Sequence, residues 1–345
     1  MKTIGLYGRK HLEIEARETE VKPPEYDEVI VQVHACGICG TDINFVRQWT
    51  GPAMALGHEL AGEVVEVGAG VKTLRPGDHV IVEDCTMCGT CVQCKNGRPD
   101  LCRHMFGLDG QSGLGQYLRL KHNSLIKYEG LDYTEACLTE PLSVCLNAVL
   151  TSNIPFQGSV AVLGCGPLGL MTARVAKLHG AAFVAITGVN TQSPLGRARL
   201  ERAERLGIDR VIDAGQPGWE QAIKDKFPGG VDRVIVSAPP ESIADALKIV
   251  GYGGRITFFG LHFGGRNTIN VDINDLIFRK ITLQPFFAEP AINFNVSIEL
   301  LKKGLVPARE IVSHIHDVRD ARRVFTAIVE GTEPIIKAVL LPQAC

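Results

Sequence analysis

A chain of 345 residues, 45% of them hydrophobic, is long for one core and reads as two domains of a globular protein. A formal net charge of −2 gives nucleic acid or an anionic membrane nothing to hold. No apolar run reaches the length of about 18 residues that spans a membrane, and the start M-K-T-I-G-L-Y-G-R-K has no signal-peptide core. Eleven cysteines without an export signal point to metal ligands and free thiols in a reducing compartment, so a cytoplasmic location is expected.

In chain order, residues 1–33 break into short strands at Ile4–Tyr7, Leu12–Ala16 and Glu28–Val33, the last after the Pro23-Pro24 turn. Then come H-A-C-G-I-C-G-T-D at 34–42 and G-H-E-L-A-G at 57–62. Cys39, His58 and Glu59 offer a thiolate, an imidazole and a carboxylate, the donor types of a catalytic zinc with one open position. Segments 59–68 and 79–82 continue the strand pattern, with Gly and Pro between them, and complete a β-rich domain.

The cysteines are densest over 85–102, where Cys88, Cys91, Cys94 and Cys102 have spacings x2, x2 and x7. Four thiolates on a Gly/Pro-bearing loop suit a closed tetrahedral zinc site. An iron–sulfur cluster is the chemical rival; disulfides are the other, without an export signal to support them. Cys85 stands just outside the pattern. Further on, T-E-P-L-S-V at 139–144 opens an apolar run to Leu150, where Pro141 suits a helix start and Glu140 is by itself a charge at a helix N-terminus.

The period changes at 158. G-S-V-A-V-L is a buried strand; Gly164-Cys-Gly166-Pro167-Leu168-Gly169 is a G-x-G-x-x-G turn; Pro167–His179 is a helix closed by Gly180; and A-F-V-A-I-T at 182–187 is a second strand. Strand, glycine turn, helix and strand in about 30 residues form the dinucleotide-binding unit, with phosphate at the helix N-terminus. A helix capped by Ser193-Pro194 follows, then strands at Arg210–Ile212, Asp232–Ala238, Arg255–Gly260 and Ile281–Phe286, with helices near 218–226, 241–250 and 272–279. That is a doubly wound parallel sheet in an α/β protein. A helix from Phe286 to about Lys303, another over Asp317–Glu330 and a strand at Ile335–Leu341 end the chain.

The pattern G-I-C-G-T-D, followed by G-H-E-x-x-G-x5-G at Gly57, His58, Glu59, Gly62 and Gly68, resembles the zinc-dependent medium-chain dehydrogenases, and within them the polyol branch typified by sorbitol dehydrogenase. The resemblance runs over nearly the whole chain. It implies a GroES-like catalytic domain over 1–151 with a structural-zinc lobe at 85–102, a Rossmann domain over 152–285 and a return segment over 286–345. It implies two zinc ions per chain: a catalytic one on Cys39, His58, Glu59 and, directly or through water, Glu140, and a structural one on Cys88, Cys91, Cys94 and Cys102. Thr41 stands where the family places a proton-relay hydroxyl; Asn44 stands where some relatives carry a histidine that passes the proton on. The implied reaction interconverts a secondary alcohol (a polyol, sugar or cyclitol) and a ketone, with hydride passing to NAD(P) and zinc acting as Lewis acid on the alcohol. A threonine-type amino-alcohol or simple alcohol dehydrogenase is the alternative within the family, and a dinucleotide-binding scaffold the alternative outside it.

NAD-binding units usually carry an acid at the end of the second strand to hold the ribose 2′-hydroxyl. Here Thr187 is followed by Gly188, and no carboxylate appears before Glu201. Thr187, Asn190, Thr191 and Ser193 are hydrogen-bond donors for a 2′-phosphate, and Arg197 and Arg199 are candidate partners for its charge, so the sequence favours NADP over NAD. The apolar edge near 281–286 predicts a homodimer or homotetramer.

Overall fold

The structure, a computed structural model, describes residues 1–262, 267–288 and 291–342. They fall into two compact units, one of Met1–Ser143, Glu289–Gly304 and Val312–Cys345 and the other of Val144–Ala288 and Leu305–Ile311, so far as these are described. The division lies inside the helix Thr139–Ser152.

The first unit is built on a sheet whose strands run Leu125–Lys127, His79–Val82, Glu59–Val67, Glu28–Gly37, Ala338–Leu341 and His314–Asp317, with Tyr117–Lys121 also pairing Glu28–Gly37. Glu28–Gly37 is the centre of the sheet. Val29, Val31, Val33 and Ala35 are fully buried in it, because neighbours cover both faces. Pairing is antiparallel except between His314–Asp317 and Ala338–Leu341. A smaller sheet joins Glu13–Glu20, Lys2–Arg9 and Met54–Ala55. This is the GroES-like β-rich fold the sequence suggested. The early strands run longer than their alternation predicts, and Glu13–Glu20 is held by its full antiparallel register with Lys2–Arg9, since its side chains are mostly exposed.

The second unit holds a parallel sheet in the order Arg210–Asp213, Phe183–Gly188, Ser159–Leu163, Val231–Val236, Val250–Phe258 and Thr282–Pro285. In chain order that is 3-2-1-4-5-6, the doubly wound Rossmann arrangement, which reverses between Ser159–Leu163 and Val231–Val236 and binds ligands there. The helix Pro167–Leu178 begins with Gly166 as N-cap and Pro167 at its first position. Ser193 caps the next helix, Pro194–Arg205, by accepting the Gly196 amide at 3.0 Å. Near the C-terminus the helix expected from Phe286 starts only at Phe294, after Asn293 in a left-handed conformation (φ 65°); positions 289–290 of that expectation lie outside the described residues.

Candidate metal centre and dinucleotide cavity

Cys39 ends the central strand's path and becomes the N-cap of the helix Gly40–Gln48. Its Sγ accepts the Thr41 amide at 3.5 Å, and the Asp42 carboxylate accepts the Cys39 amide at 2.9 Å, a reciprocal capping box. The other oxygen of Asp42, fully buried, accepts the Gly57 amide at 2.9 Å and lies 3.9 Å from His58 Nδ1. One carboxylate thus fixes both segments that carry the thiol and the imidazole. Gly57 has φ +83°, and a Cβ there would stand 2.7 Å from the Leu114 amide nitrogen, so the turn that presents His58 needs glycine.

The donor atoms of Cys39, His58 and Glu59 lie within 4.8 Å of one another. Glu59 is fully enclosed and forms an ion pair with Lys337, which also donates to the Ile38 carbonyl at 3.0 Å. Burial disfavours the Lys337 cation, but the Glu59 carboxylate outweighs it and holds the ammonium charged. A second group, His58, Asp84 and Glu140, also has its donor atoms within 4.8 Å. Burial first, and then the Asp84 charge, push the Glu140 carboxyl well above its usual range. Burial opposes the charge on His58, yet Cys39, Asp42 and Glu140 together raise its pKa well above the usual value. A site that crowds a thiol and four carboxyl groups around one imidazole, with one lysine among them, has the charge pattern of a cation site. Thr41 is half-buried at the helix start beside Cys39. Phe45 packs against the core and stands edge-on to Trp49 at 6.1 Å.

Asp84 and Lys337 carry no weight in the sequence reading, and Asp42 counts there only as a carboxylate of the G-I-C-G-T-D stretch, not as the clamp between Cys39 and Gly57. Lys337 had a signal: a single cation inside the apolar run I-I-K-A-V-L-L, where an unpaired charge is too costly to bury. Asp84 has none beyond lying next to the cysteine-rich segment.

Cys88, Cys91, Cys94 and Cys102 converge as expected. Their sulfurs are 3.5 Å (Cys91–Cys94), 3.6 Å (Cys88–Cys102) and 4.0 Å (Cys91–Cys102) apart. Bonds of about 2.3 Å to a tetrahedral zinc require sulfurs about 3.8 Å apart. The Thr90 amide, then its hydroxyl and the Cys91 amide, pull the Cys88 thiol down to about 5, while desolvation and the thiols of Cys91 and Cys102 push Cys94 up to about 12. Four thiolates do not coexist this close without a cation, so the donor set fits a metal. Cys85 lies outside the group, against Met105 at 3.6 Å.

In the second unit a cavity of about 300 Å³ opens at the sheet's reversal point, lined by Gly164, Gly166, Thr187, Gly188, Arg199 and Ser237 among others. A Cβ on Gly169 would stand 1.7 Å from the Gly164 carbonyl oxygen, so the turn and the helix's first residues close only with glycine there. Thr187 accepts the Gly164 amide at 3.4 Å. Arg199 faces the cavity with a buried Nε that has no hydrogen-bond partner, and burial lowers its pKa. Arg197 is exposed and Asn190 sits in a left-handed turn (φ 52°); both lie outside the lining. The Thr191 hydroxyl donates to Asp213, at the end of the neighbouring strand, at 2.6 Å, and the Ser193 hydroxyl to the Asn190 carbonyl in its own loop at 2.8 Å, so both are already engaged.

Comparison with known proteins agrees with this geometry. The family described as alcohol dehydrogenase GroES-like domain matches residues 25–130, and the one described as zinc-binding dehydrogenase matches residues 167–303. The chain is 30% identical to an L-threonine 3-dehydrogenase of Bacillus velezensis over 94% of each chain. It is 28% identical to the sorbitol dehydrogenase of Bacillus subtilis over 99% of this chain and 98% of that one. A Sinorhizobium meliloti 1021 protein solved with NADP bound superposes with a TM-score of 0.84, at 25% identity, over 99% of this chain and 100% of that one. By fold, by sequence and by the donor groups it assembles, the chain belongs to the zinc-dependent medium-chain alcohol dehydrogenases.

Proposed function

We propose that the protein oxidises a secondary alcohol of the polyol, sugar or cyclitol class to a ketone, reversibly, with NAD(P) as hydride acceptor. The observation that carries this reading is the gathering of Cys39, His58 and Glu59 donors within 4.8 Å in a chain that also builds a dinucleotide cavity at a Rossmann reversal point. Zinc, when bound, supplies Lewis-acid polarisation of the alcohol oxygen. The residues around it have distinct tasks. Cys39 and His58 hold the ion; Asp42 orients both. Lys337 balances the charge of Glu59, whose carboxylate would be the third protein donor to the ion. Glu140 holds the ion or its water, and the Thr41 hydroxyl passes the proton on. The four-cysteine lobe holds a second, structural zinc.

The turn Gly164–Gly169 receives the pyrophosphate at the helix N-terminus. The absence of an acid after Thr187 and the unpartnered Nε of Arg199 in the cavity support NADP as the preferred cofactor. The helix Ile273–Arg279 exposes Ile273, Ile277 and Phe278 beside the edge strand Thr282–Pro285, which supports a homodimer or homotetramer. Among the described residues no helix is long and apolar enough to cross a membrane; we assign the enzyme to the cytoplasm. The 30% identity to a threonine dehydrogenase makes an amino-alcohol the second reading.

The test is a panel of polyols, sugars, cyclitols, amino-alcohols and simple alcohols read at 340 nm with both cofactors. Polyol-dependent reduction, abolished by a chelator that leaves the fold intact and restored by zinc, is the expected result. Turnover confined to L-threonine would move the reading to the amino-alcohol branch, and no turnover on any alcohol would overturn it.

A further inference from the structure

We propose that Asp84 is an additional donor of the metal centre, forming with His58 and Glu140 a nitrogen–oxygen triad that overlaps the Cys39–His58–Glu59 triad at the shared imidazole. The proposal rests on the reading of Cys39 and His58 as metal ligands, and it adds a residue that neither the dehydrogenase pattern nor the sequence singled out. Its geometry is direct: the donor atoms of His58, Asp84 and Glu140 lie within 4.8 Å of one another. Each is delivered by an ordered element. Asp84 follows the strand His79–Val82, Glu140 lies in the first turn of the helix Thr139–Ser152, and His58 precedes the strand Glu59–Val67.

The second observation concerns Glu140. It is 8% exposed, and its carboxylate makes no hydrogen bond or ion pair with a described residue although it faces His58 and Asp84. A largely buried carboxylate with no hydrogen bond, set beside a second carboxylate and balanced only through space by His58 and Lys337, is unfavourable, and a cation between the two carboxylates removes the conflict. The third observation concerns Glu59, the carboxylate of the thiolate triad, which is already engaged by the fully buried Lys337. Anionic oxygen is therefore divided unevenly: the sulfur side shares its carboxylate with an ammonium, and the other side holds two carboxylates. Two triads on one imidazole give a cation a sulfur-bearing seat and an oxygen-rich seat. The oxygen-rich seat suits Mn²⁺ or Co²⁺ as well as Zn²⁺, because harder ions prefer carboxylate donors.

The experiment uses the full chain loaded with ¹¹³Cd, in which a four-thiolate site and a site with one thiolate give separate resonances. Asp84→Asn should move the one-thiolate resonance and weaken that site about 10–100-fold in chelator competition, leaving the four-thiolate resonance in place. An unchanged shift and affinity overturn the proposal. Should Asp84→Asn not fold, Mn²⁺ titration followed by electron paramagnetic resonance decides it: binding of one Mn²⁺ per chain that survives Cys39→Ser is expected, and no binding overturns it. Alcohol-dependent reduction of NAD(P) by the unmutated zinc enzyme is measured alongside. If that turnover stands while Asp84→Asn leaves the cadmium spectrum alone, only this proposal falls; a single four-thiolate resonance in the unmutated chain removes the catalytic-metal reading as well.

Discussion

Two donor clusters in the first unit are made in opposite ways. The four-cysteine lobe draws all its sulfurs from fifteen consecutive positions, Cys88 to Cys102, on a loop pinned by the short pairing of Cys85–Thr86 with Phe106–Gly107. The Cys39–His58 centre draws on a helix cap, a glycine turn, the start of a strand, the start of another helix and, through Lys337, the residue just before the strand Ala338–Leu341. The first is encoded by spacing; the second exists only once the sheet has formed. A cluster of the first kind lends stability to its surroundings when it takes a metal, and one of the second kind borrows stability from the fold and uses it for chemistry.

Paired cysteine substitutions test that contrast most sharply. Cys39→Ser should lower kcat for alcohol oxidation by about 10³-fold, the loss of several kcal/mol of charge stabilisation, with little change in the melting temperature. Cys94→Ala should do the reverse: a loss of several kcal/mol of stability, about 10 °C or more in calorimetry, with kcat largely kept in the protein that remains folded. Equal effects on both quantities for both variants would dissolve the distinction. Next in size is Lys337→Met, which strands the buried Glu59 charge and should cost about 3–5 kcal/mol in urea unfolding; adding Glu59→Gln should recover much of it.

The second unit repeats the contrast on a smaller scale. Its glycine turn is local, whereas Arg199 reaches the cavity from a separate helix. Arg199→Ala should raise the KM for NADP about tenfold and leave that for NAD nearly unchanged, while the exposed Arg197→Ala should do little. The smallest effect concerns Asp232, which accepts the Ser159 amide at 2.8 Å and hydroxyl at 2.7 Å across 73 positions. Burial alone would raise its pKa, but these bonds and Arg233 hold it below the usual carboxylate range. Its contribution, about 1 kcal/mol after solvent screening, is therefore present above the unfolded pKa of about 4 and is lost as pH falls through the lower folded value. Urea unfolding of Asp232→Asn against the unmutated chain should show a gap at pH 7 that closes below pH 4.

What could be read from the sequence follows the same division. The lobe, the glycine turn and the Ser193 cap were legible because each is a short spacing with one steric or bonding reason. The parallel sheet was legible because its buried strands alternate with helix starts and stops. His58 was legible only through its neighbours in a longer pattern. Asp84 was not, because nothing local distinguishes a carboxylate that the fold brings to His58 and Glu140 from one in solvent. Thr191 and Ser193 looked like phosphate donors, yet the loop's own turn claims the Ser193 hydroxyl and Asp213 on the adjacent strand claims that of Thr191. The fate of a side chain in a loop depends on what the loop closes against, and that is settled by tertiary packing.

The Asp42 clamp has a consequence for rates. Because its two oxygens hold the Cys39 and Gly57 amides, the thiol and the imidazole stay at their posts whether or not an ion sits between them. A segment without such a tie would have to re-close for every capture, on the order of 10–100 ns for a loop of about ten residues. With the tie, an ion released by sulfur would meet nitrogen still in position and rebind before it could diffuse away. Escape of an ion held there would require both bonds to be open at once, so its residence time would grow inversely with the product of the two opening probabilities, and fraying of the helix cap that Asp42 closes would speed metal exchange.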